Sequence, residues 1–317
     1  MQSSSKFTEV MTALSIRSAL FQAAAQLETA YVPSPNPRLD AETLLLFALG
    51  REGDRAYLLT HPSDELESAA HHRFQDLLRQ RLTGKPIQYI IGHQEFFGLD
   101  FRVTPDVLIP RPETEHLVET ALDLCGIDVC GTDSQSVPTM SADRRLPTGD
   151  PLRILDVGTG SGCIAVALAH ALPQAQVTAV DVSPTALTIA RQNAELNRVS
   201  IEFLESDLLS AVSARRFEII VSNPPYIGTD NPDTVQRQVR DFEPSLALWG
   251  GQNGLSIYER LIPQAHAALS DGGYLLLEIG YSLEAGVRAL FSETLWQNVQ
   301  TIHDLQGLPR VIFVRKK

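Results

Sequence analysis

The sequence predicts an α/β protein: a mostly parallel sheet with helices on both faces, preceded by a small helical domain. Three observations carry this. From residue 153 onward, short β-branched runs alternate with helix-spaced segments, the pattern of a parallel sheet. Before residue 93 apolar residues recur at helical spacing alone. And 317 residues with 44% hydrophobic and 20% charged side chains suit two globular domains better than one.

The elements follow in chain order. Leu14, Ala19, Leu20, Ala23, Ala24 and Leu27 form one helical stripe. After the break at Pro33, Pro35 and Pro37, Ala41, Leu44, Leu45 and Ala48 form a second. Leu66, Ala69, Ala70, Phe74, Leu77, Leu78 and Leu82 form a third, within 65–82. Such a bundle, expected over 1–93, serves packing or partner docking rather than chemistry. Over 94–112, Phe96, Phe97, Gly98, Phe101, Val103, Val107, Leu108 and Ile109 suggest a β-hairpin that links this domain to a larger one at 113–317. Helical spacing returns at 114–124. The glycines, serines and prolines of 126–151 suggest a surface loop. Strands are expected at 153–157, 176–180, 201–204, 217–222, 274–278, 299–303 and 311–314, with helices in the gaps between the first five. No helix of ordinary length fits the last gap. The final two strands therefore pair as a hairpin, leaving one antiparallel strand in a seven-stranded sheet.

Bulk properties narrow the function. The net charge is −12, from 9 Lys/Arg against 10 Asp/Glu over 1–93 and 17 against 28 over 94–317. Such a surface repels phosphate backbones, so no direct nucleic-acid partner is expected. No apolar run approaches the eighteen or so residues of a membrane helix, and the polar start, Met1 to Glu9, has no apolar h-region. Cys125, Cys130 and Cys163 have neither a disulfide framework nor zinc-site spacing. A cytoplasmic protein is expected.

Chemistry begins where the first large-domain strand ends. Gly158-Thr159-Gly160-Ser161-Gly162 follows it and opens a helix, so a ligand can approach bare backbone beside a helix N-terminus. A glycine turn alone is weak evidence, since folds of several chemistries share it. The second strand ends in Asp181, placed to accept from a ribose diol, although an N-cap near Ser183-Pro184 explains it too. The third ends in Asp207, an acceptor for an adenine amino group. A dinucleotide fingerprint would put its third glycine where Cys163 stands. The chain has G-x-G-x-G instead, a spacing that resembles that of S-adenosylmethionine methyltransferases.

The fourth strand ends in Ser222-Asn223-Pro224-Pro225-Tyr226. Two prolines stiffen this loop. The Asn223 side-chain oxygen and the Pro224 carbonyl can both accept from one NH₂ group, and Tyr226 offers a face for a flat amide or base. An amide nitrogen is a poor nucleophile because its lone pair is delocalised. Two acceptors on its hydrogens favour the pyramidal form that attacks a sulfonium methyl, so positioning and electrostatics suffice without metal or strong base.

With these parts the sequence resembles the HemK/PrmC family, the N5-glutamine methyltransferases of class-1 peptide chain release factors, over almost its whole length. The matching pieces are Gly92-His93-Gln94-Glu95-Phe96-Phe97-Gly98, Leu108-Ile109-Pro110-Arg111-Pro112-Glu113-Thr114-Glu115, the glycine loop, Asn223 to Tyr226, Phe242-Glu243-Pro244 and Gly307-Leu308-Pro309-Arg310-Val311. The resemblance implies a Rossmann-like class I methyltransferase domain at 113–317, S-adenosylmethionine as cofactor and S-adenosylhomocysteine as product. The methyl acceptor would be the glutamine of a Gly-Gly-Gln motif in a release factor, a factor contacted by the helical domain. Gly158, Thr159, Gly160, Ser161 and Gly162 would hold the methionine end, Asp181 the ribose, and Asp207 and Leu208 the adenine. Some relatives carry Trp where Leu208 stands. Asn223, Pro224, Pro225 and Tyr226 would bind the glutamine, Asn223 also lying close to the reacting methyl. The segment 126–151 is longer than is usual in that family. Three alternatives remain: a sister family that methylates a ribosomal-protein glutamine, whose motif reads Pro-Arg-Ser-Pro where this chain has Pro110-Arg111-Pro112-Glu113; a nucleic-acid amino-methyltransferase; and a non-catalytic assembly factor.

Overall fold

The computed structural model describes residues 14–127, 151–230, 232 and 235–317. The polar start, Cys130 and all but the ends of the 126–151 segment lie outside the described residues. The chain forms two compact units, the first ending at Ile91 and the second beginning at Gly92.

The first unit contains α1 (Ile16–Glu28), α2 (Pro37–Leu49), α3 (Arg55–Thr60), α4 (Ser68–Leu82) and α5 (Ile87–Ile91). The three stripes read from the sequence meet in one core, with Leu20 and Leu27 of α1 against Leu44 and Leu45 of α2 and Phe74 and Leu78 of α4. Local signals set the bounds of α2. The Asn36 side chain accepts from the Leu39 N–H, Pro37 takes the first helical position, and Gly50 closes the helix at φ 66°. Inside the bundle, Arg81 Nε donates to Asp40 Oδ2 at 2.7 Å and fastens α4 to α2. The short α3 and α5 were not expected, because five or six residues are too few to show a period.

The second unit opens with β1 (His93–Phe96) and β2 (Leu99–Arg102), paired antiparallel. The hairpin expected over 94–112 thus ends ten residues early. Pro105, Pro110 and Pro112 remove donors a ladder would need, and the Val107 N–H turns back to the Thr104 carbonyl at 3.1 Å. Val107 and Ile109 are buried nonetheless, in an irregular run.

After α6 (Glu115–Leu124) come β3 (Arg153–Val157), α7 (Cys163–Ala171), β4 (Gln176–Asp181), α8 (Pro184–Leu196), β5 (Glu202–Glu205) and β6 (Phe217–Ser222). Then follow α9 (Arg237–Phe242), α10 (Ser256–Ala268), β7 (Leu269–Glu278), α11 (Glu284–Ala289), β8 (Trp296–His303) and β9 (Pro309–Lys316). The seven strands stand in the order β5-β4-β3-β6-β7-β9-β8. Only β9 runs against its neighbours, antiparallel to both β7 and β8. One expectation fails: between β5 and β6 there is a single 3-10 turn, Ser210–Val212, where a helix was expected. Leu209 and Val212 bury their side chains from that turn, so no longer element is needed to cover the sheet edge.

The sheet is buried on both faces, which is why its strands read as continuous apolar runs. Successive residues serve opposite cores. Ile154, Ile219, Val221, Tyr274, Leu276 and Phe313 pack with α6 and α7 on one side. Leu155, Ile220, Leu275, Leu277, Ile312 and Val314 pack with α10 on the other. The order reverses between β3 and β6, and a crevice forms beyond their carboxyl ends, the place where open α/β sheets bind ligands.

Candidate active site

A cavity of about 510 Å³ opens at that crevice, wholly within the second unit. It brings together Gly158, Thr159, Gly160 and Ser161 after β3, Asp181 at the end of β4, Asp207 and Leu208 after β5, and Asn223 and Pro225 after β6. Gly162, Pro224 and Tyr226 are not among its lining.

The glycine loop is built by main-chain bonds. The N–H groups of Gly158 and Thr159 both donate to the Val180 carbonyl, at 2.8 and 3.0 Å, and the Gly162 N–H donates to the Thr159 carbonyl at 2.8 Å. Gly160 donates to Asp181 Oδ2 at 2.8 Å, and the Ser183 N–H reaches Asp181 Oδ1 at 2.9 Å. The glycines therefore supply close approach rather than spare donors. A Cβ on Gly158 or Gly160, both at positive φ, would touch no protein atom within 4 Å. Gly162 (φ 82°) has a different task, since a Cβ there would stand 3.0 Å from the Ala190 Cβ; its absence lets α7 lie against α8.

Burial raises the Asp181 carboxyl, against the Ser183 and Gly160 N–H bonds that hold it down. Asp156, one strand residue before Val157, lies beneath the loop and accepts the Thr159 hydroxyl at 2.6 Å. Burial pushes its carboxyl up to about 7. Asn193 of α8, fully buried, ties the loop to the hairpin: its side chain donates to the carbonyls of Ser161 at 2.8 Å and Arg102 at 3.0 Å, and accepts from the Arg102 N–H at 2.7 Å.

At the third strand end, Asp207 accepts from Arg260 of α10 at 2.6 Å. Leu208 beside it holds φ 49°, a left-handed conformation rare for a leucine, and the Ser206 hydroxyl donates to its carbonyl at 2.7 Å.

At the fourth, the Asn223 side-chain nitrogen donates to Thr114 Oγ1 at 3.2 Å. Pro224 is buried. Tyr226 is half-buried against the core beneath α10, and its ring comes so near Gly280 that a Cβ there would meet Cδ2 at 3.1 Å. A segment from Leu248 to Gly254 braces this loop. The Ile227 N–H donates to the Leu248 carbonyl at 3.0 Å and the Gly250 N–H to the Ile227 carbonyl at 2.9 Å, while a Cβ on Gly250 or Gly254 would stand 2.5 Å from the Pro225 carbonyl or 2.3 Å from that of Tyr226.

The site also holds residues to which the sequence alone assigns no role. Thr114 lines the cavity, and Glu278, at the end of β7, lies buried behind Asn223. Arg111 pairs with Glu243, whose other oxygen accepts the Ile109 N–H at 3.2 Å. That pair joins the irregular run after the hairpin to the segment carrying Pro244, Leu246 and Ala247 at the cavity rim. Thr114, Arg111 and Glu243 stand inside matched family pieces; Glu278 stands in none. Among the described residues no cluster of three His, Cys, Asp or Glu could hold a metal ion, and no helix is long and apolar enough to cross a membrane.

Comparison with known proteins agrees with this architecture. Residues 18–92 match the PrmC N-terminal domain and residues 143–247 the methyltransferase small domain. A release factor glutamine methyltransferase of Koribacter versatilis (strain Ellin345) is 46% identical over 304 residues, covering 96% of this chain and 99% of the relative. One of Geobacter sulfurreducens is 40% identical, covering 87% and 89%. Among solved structures, the catalytic domain of hMettl16 bound to MAT2A 3'UTR hairpin 1 superposes with TM-score 0.52 at 14% identity, covering 85% of this chain and 90% of that one, a likeness of fold alone. The likeness to the full-length relatives spans both units, and the chain belongs to the release factor glutamine methyltransferase family.

Proposed function

We propose that this S-adenosylmethionine-dependent methyltransferase modifies the side-chain nitrogen (N5) of the glutamine in the Gly-Gly-Gln motif of class-1 peptide chain release factors, in the cytoplasm. The observation that carries the reading is the meeting, in one cavity, of the open glycine loop and Asn223. The names of its relatives support the choice of partner.

The residues present fit the cofactor. Gly158, Thr159, Gly160 and Ser161 line the cavity, and at Gly158 and Gly160 there is room where side chains would otherwise stand. Gly162 is assigned to shape that lining by letting α7 approach α8, Asp181 to the ribose hydroxyls, and Asp207 with Leu208 to the adenine. Bound there, S-adenosylmethionine supplies an electrophilic methyl group and leaves as S-adenosylhomocysteine. Arg260 already neutralises Asp207, so adenine binding has to share that carboxylate.

The chain's own part is to hold the acceptor amide. Asn223 Oδ1 and the Pro224 carbonyl are assigned to accept the two N–H groups of the glutamine, with Pro225 and Tyr226 as the stiff walls beside them. Holding both hydrogens draws the nitrogen lone pair out of conjugation and aims it at the methyl group. The nitrogen gains the methyl and loses one proton to solvent. The acidic surface, net −12, supports a protein partner over a phosphate backbone.

Incubation with S-adenosylmethionine and purified release factors, large-subunit ribosomal proteins or ribosomal RNA, followed by mass spectrometry, tests the assignment. Methylation of the Gly-Gly-Gln glutamine is expected; methyl groups only on a ribosomal protein or RNA would overturn it.

A further inference from the structure

We infer that Asn193 of α8 is a positioning residue for the cofactor: it fixes the Ser161 end of the glycine loop against the hairpin and so sets how tightly the chain binds S-adenosylmethionine. This deepens the reading of the glycine loop as the part that holds the cofactor, and rests on it.

Main-chain groups from distant parts of the chain meet on this one amide. Its NH₂ group donates to the carbonyls of Ser161 at 2.8 Å and Arg102 at 3.0 Å, and its oxygen accepts the Arg102 N–H at 2.7 Å. The pattern admits one orientation, because turning the amide over would set an oxygen against two carbonyls and an NH₂ group against an N–H. Asn193 is 0% exposed, so water does not compete for these bonds. No other side chain of this size satisfies the set. An aspartate lacks both donors, and a leucine would leave two carbonyls and an N–H unmet.

The hairpin does not need Asn193 for its own attachment. Phe96 and Phe101 are buried in one core with α7, and Asn197, at the C-terminal end of α8, donates to the Asp100 carbonyl at 2.9 Å. What Asn193 adds is the bond to Ser161, which lines the cavity with Gly158, Thr159 and Gly160. Ala190, three residues earlier on the same face of α8, lies against the next loop residue: a Cβ on Gly162 would stand 3.0 Å from the Ala190 Cβ and 3.2 Å from its Cα. α8 thus sets both Gly162, by close packing, and Ser161, by a hydrogen bond. Close packing limits how near the loop can come; the hydrogen bond stops it from moving away. The hairpin, bonded to the same amide through the N–H and carbonyl of Arg102, holds Asn193 in that pose.

Calorimetric titration of the full chain with S-adenosylhomocysteine, which binds without turnover, is the test. Asn193→Ala is expected to raise Kd about tenfold, the effect of losing one buried hydrogen bond that aims the loop. With a purified release factor as substrate, KM for S-adenosylmethionine should rise in step, while kcat at saturating cofactor stays within about threefold. Asn193→Asp, unchanged in size, keeps the acceptor for the Arg102 N–H and loses the donor to Ser161. The same rise in Kd is expected of it, and it stands in should the smaller side chain cost the fold. Asn197→Ala is the control: it removes a hairpin bond that does not reach the loop, so Kd should stay within about twofold. A folded Asn193 variant that binds as tightly as wild type, or an equal loss in Asn197→Ala, would overturn the positioning role and leave Asn193 a brace of the hairpin. Absence of binding by the wild-type chain would remove the reading of the loop itself, and this inference with it.

Discussion

The two loops that face each other across the cavity are built by opposite means. The loop after β3 is made of glycine and fastened through its own N–H groups, with three bonds at 2.8–3.0 Å to the Val180 carbonyl of β4 and the Thr159 carbonyl. The loop after β6 is made of proline and held from outside, by Thr114 on one side and by close-packed glycines of the 248–254 segment on the other. Each rests on a buried carboxyl pushed up to about 7, Asp156 beneath the first and Glu278 behind the second. The difference follows from the task. A loop that must let a bulky ligand come close needs missing side chains; one that must aim two acceptors at a single NH₂ group needs a backbone that cannot turn.

The contrast can be broken most severely at Asn223. Replacement by Ala is expected to lower kcat by about 10³-fold while cofactor affinity, measured by calorimetry, stays within about threefold. A parallel fall in affinity would mean that the two loops do not divide the work. Gly254→Ala comes next. Its Cβ would stand 2.3 Å from the Tyr226 carbonyl, at a φ of 78°, so melting should show a loss of about 1–3 kcal/mol together with reduced turnover. Gly160→Ala sharpens the other side: with no protein atom to strike, it should weaken cofactor binding about tenfold by intruding on the cavity, at a modest cost in stability.

The carboxyls yield a subtler prediction. Both are raised from ordinary values of 3.8 and 4.5, so the folded chain keeps protons that the unfolded chain has released. Their contribution to stability is complete below about pH 4, falls as pH rises towards 7, and is flat above. Asp156→Asn should flatten the slope of urea-unfolding free energy between pH 5 and 7 by up to about 1.4 kcal/mol per pH unit. An unchanged slope would show that Asp156 ionises freely in the fold. Smallest of all, Leu208→Gly should relieve a φ of 49°, with a net change within about 1 kcal/mol, since the lost side chain offsets the relief.

How much of this was legible depended on distance along the chain. The strands at 153–157 and 217–222 were read residue for residue, because both are apolar on both faces and end at glycine or proline. The reversed last strand followed from a gap too short for a crossover. The helix expected between β5 and β6 failed for the opposite reason: Leu209 and Val212 are enough apolar material to suggest one but are satisfied by a single turn. At the site, the glycine and proline loops announce themselves because each is contiguous. Thr114 lies 109 residues from its partner Asn223, and Glu278 closes a strand that reads as plain core. A single Thr or Glu has no period or spacing to betray it. Arg111 and Glu243 were visible only as matched motif letters; their pairing across 132 residues belongs to the fold.

Asn193 has a practical corollary. Its one side chain joins the hairpin at Arg102 to the glycine loop at Ser161, and Asn197 repeats the attachment by donating to the Asp100 carbonyl at 2.9 Å. The region matched as methyltransferase small domain, 143–247, leaves that hairpin out. An excised piece with those bounds would retain every glycine of the donor loop and still leave a buried amide with its oxygen and one hydrogen facing nothing. A piece of this chain meant to keep the glycine loop braced is therefore expected to include the hairpin that begins at His93, which supports a loop it precedes by sixty residues or so.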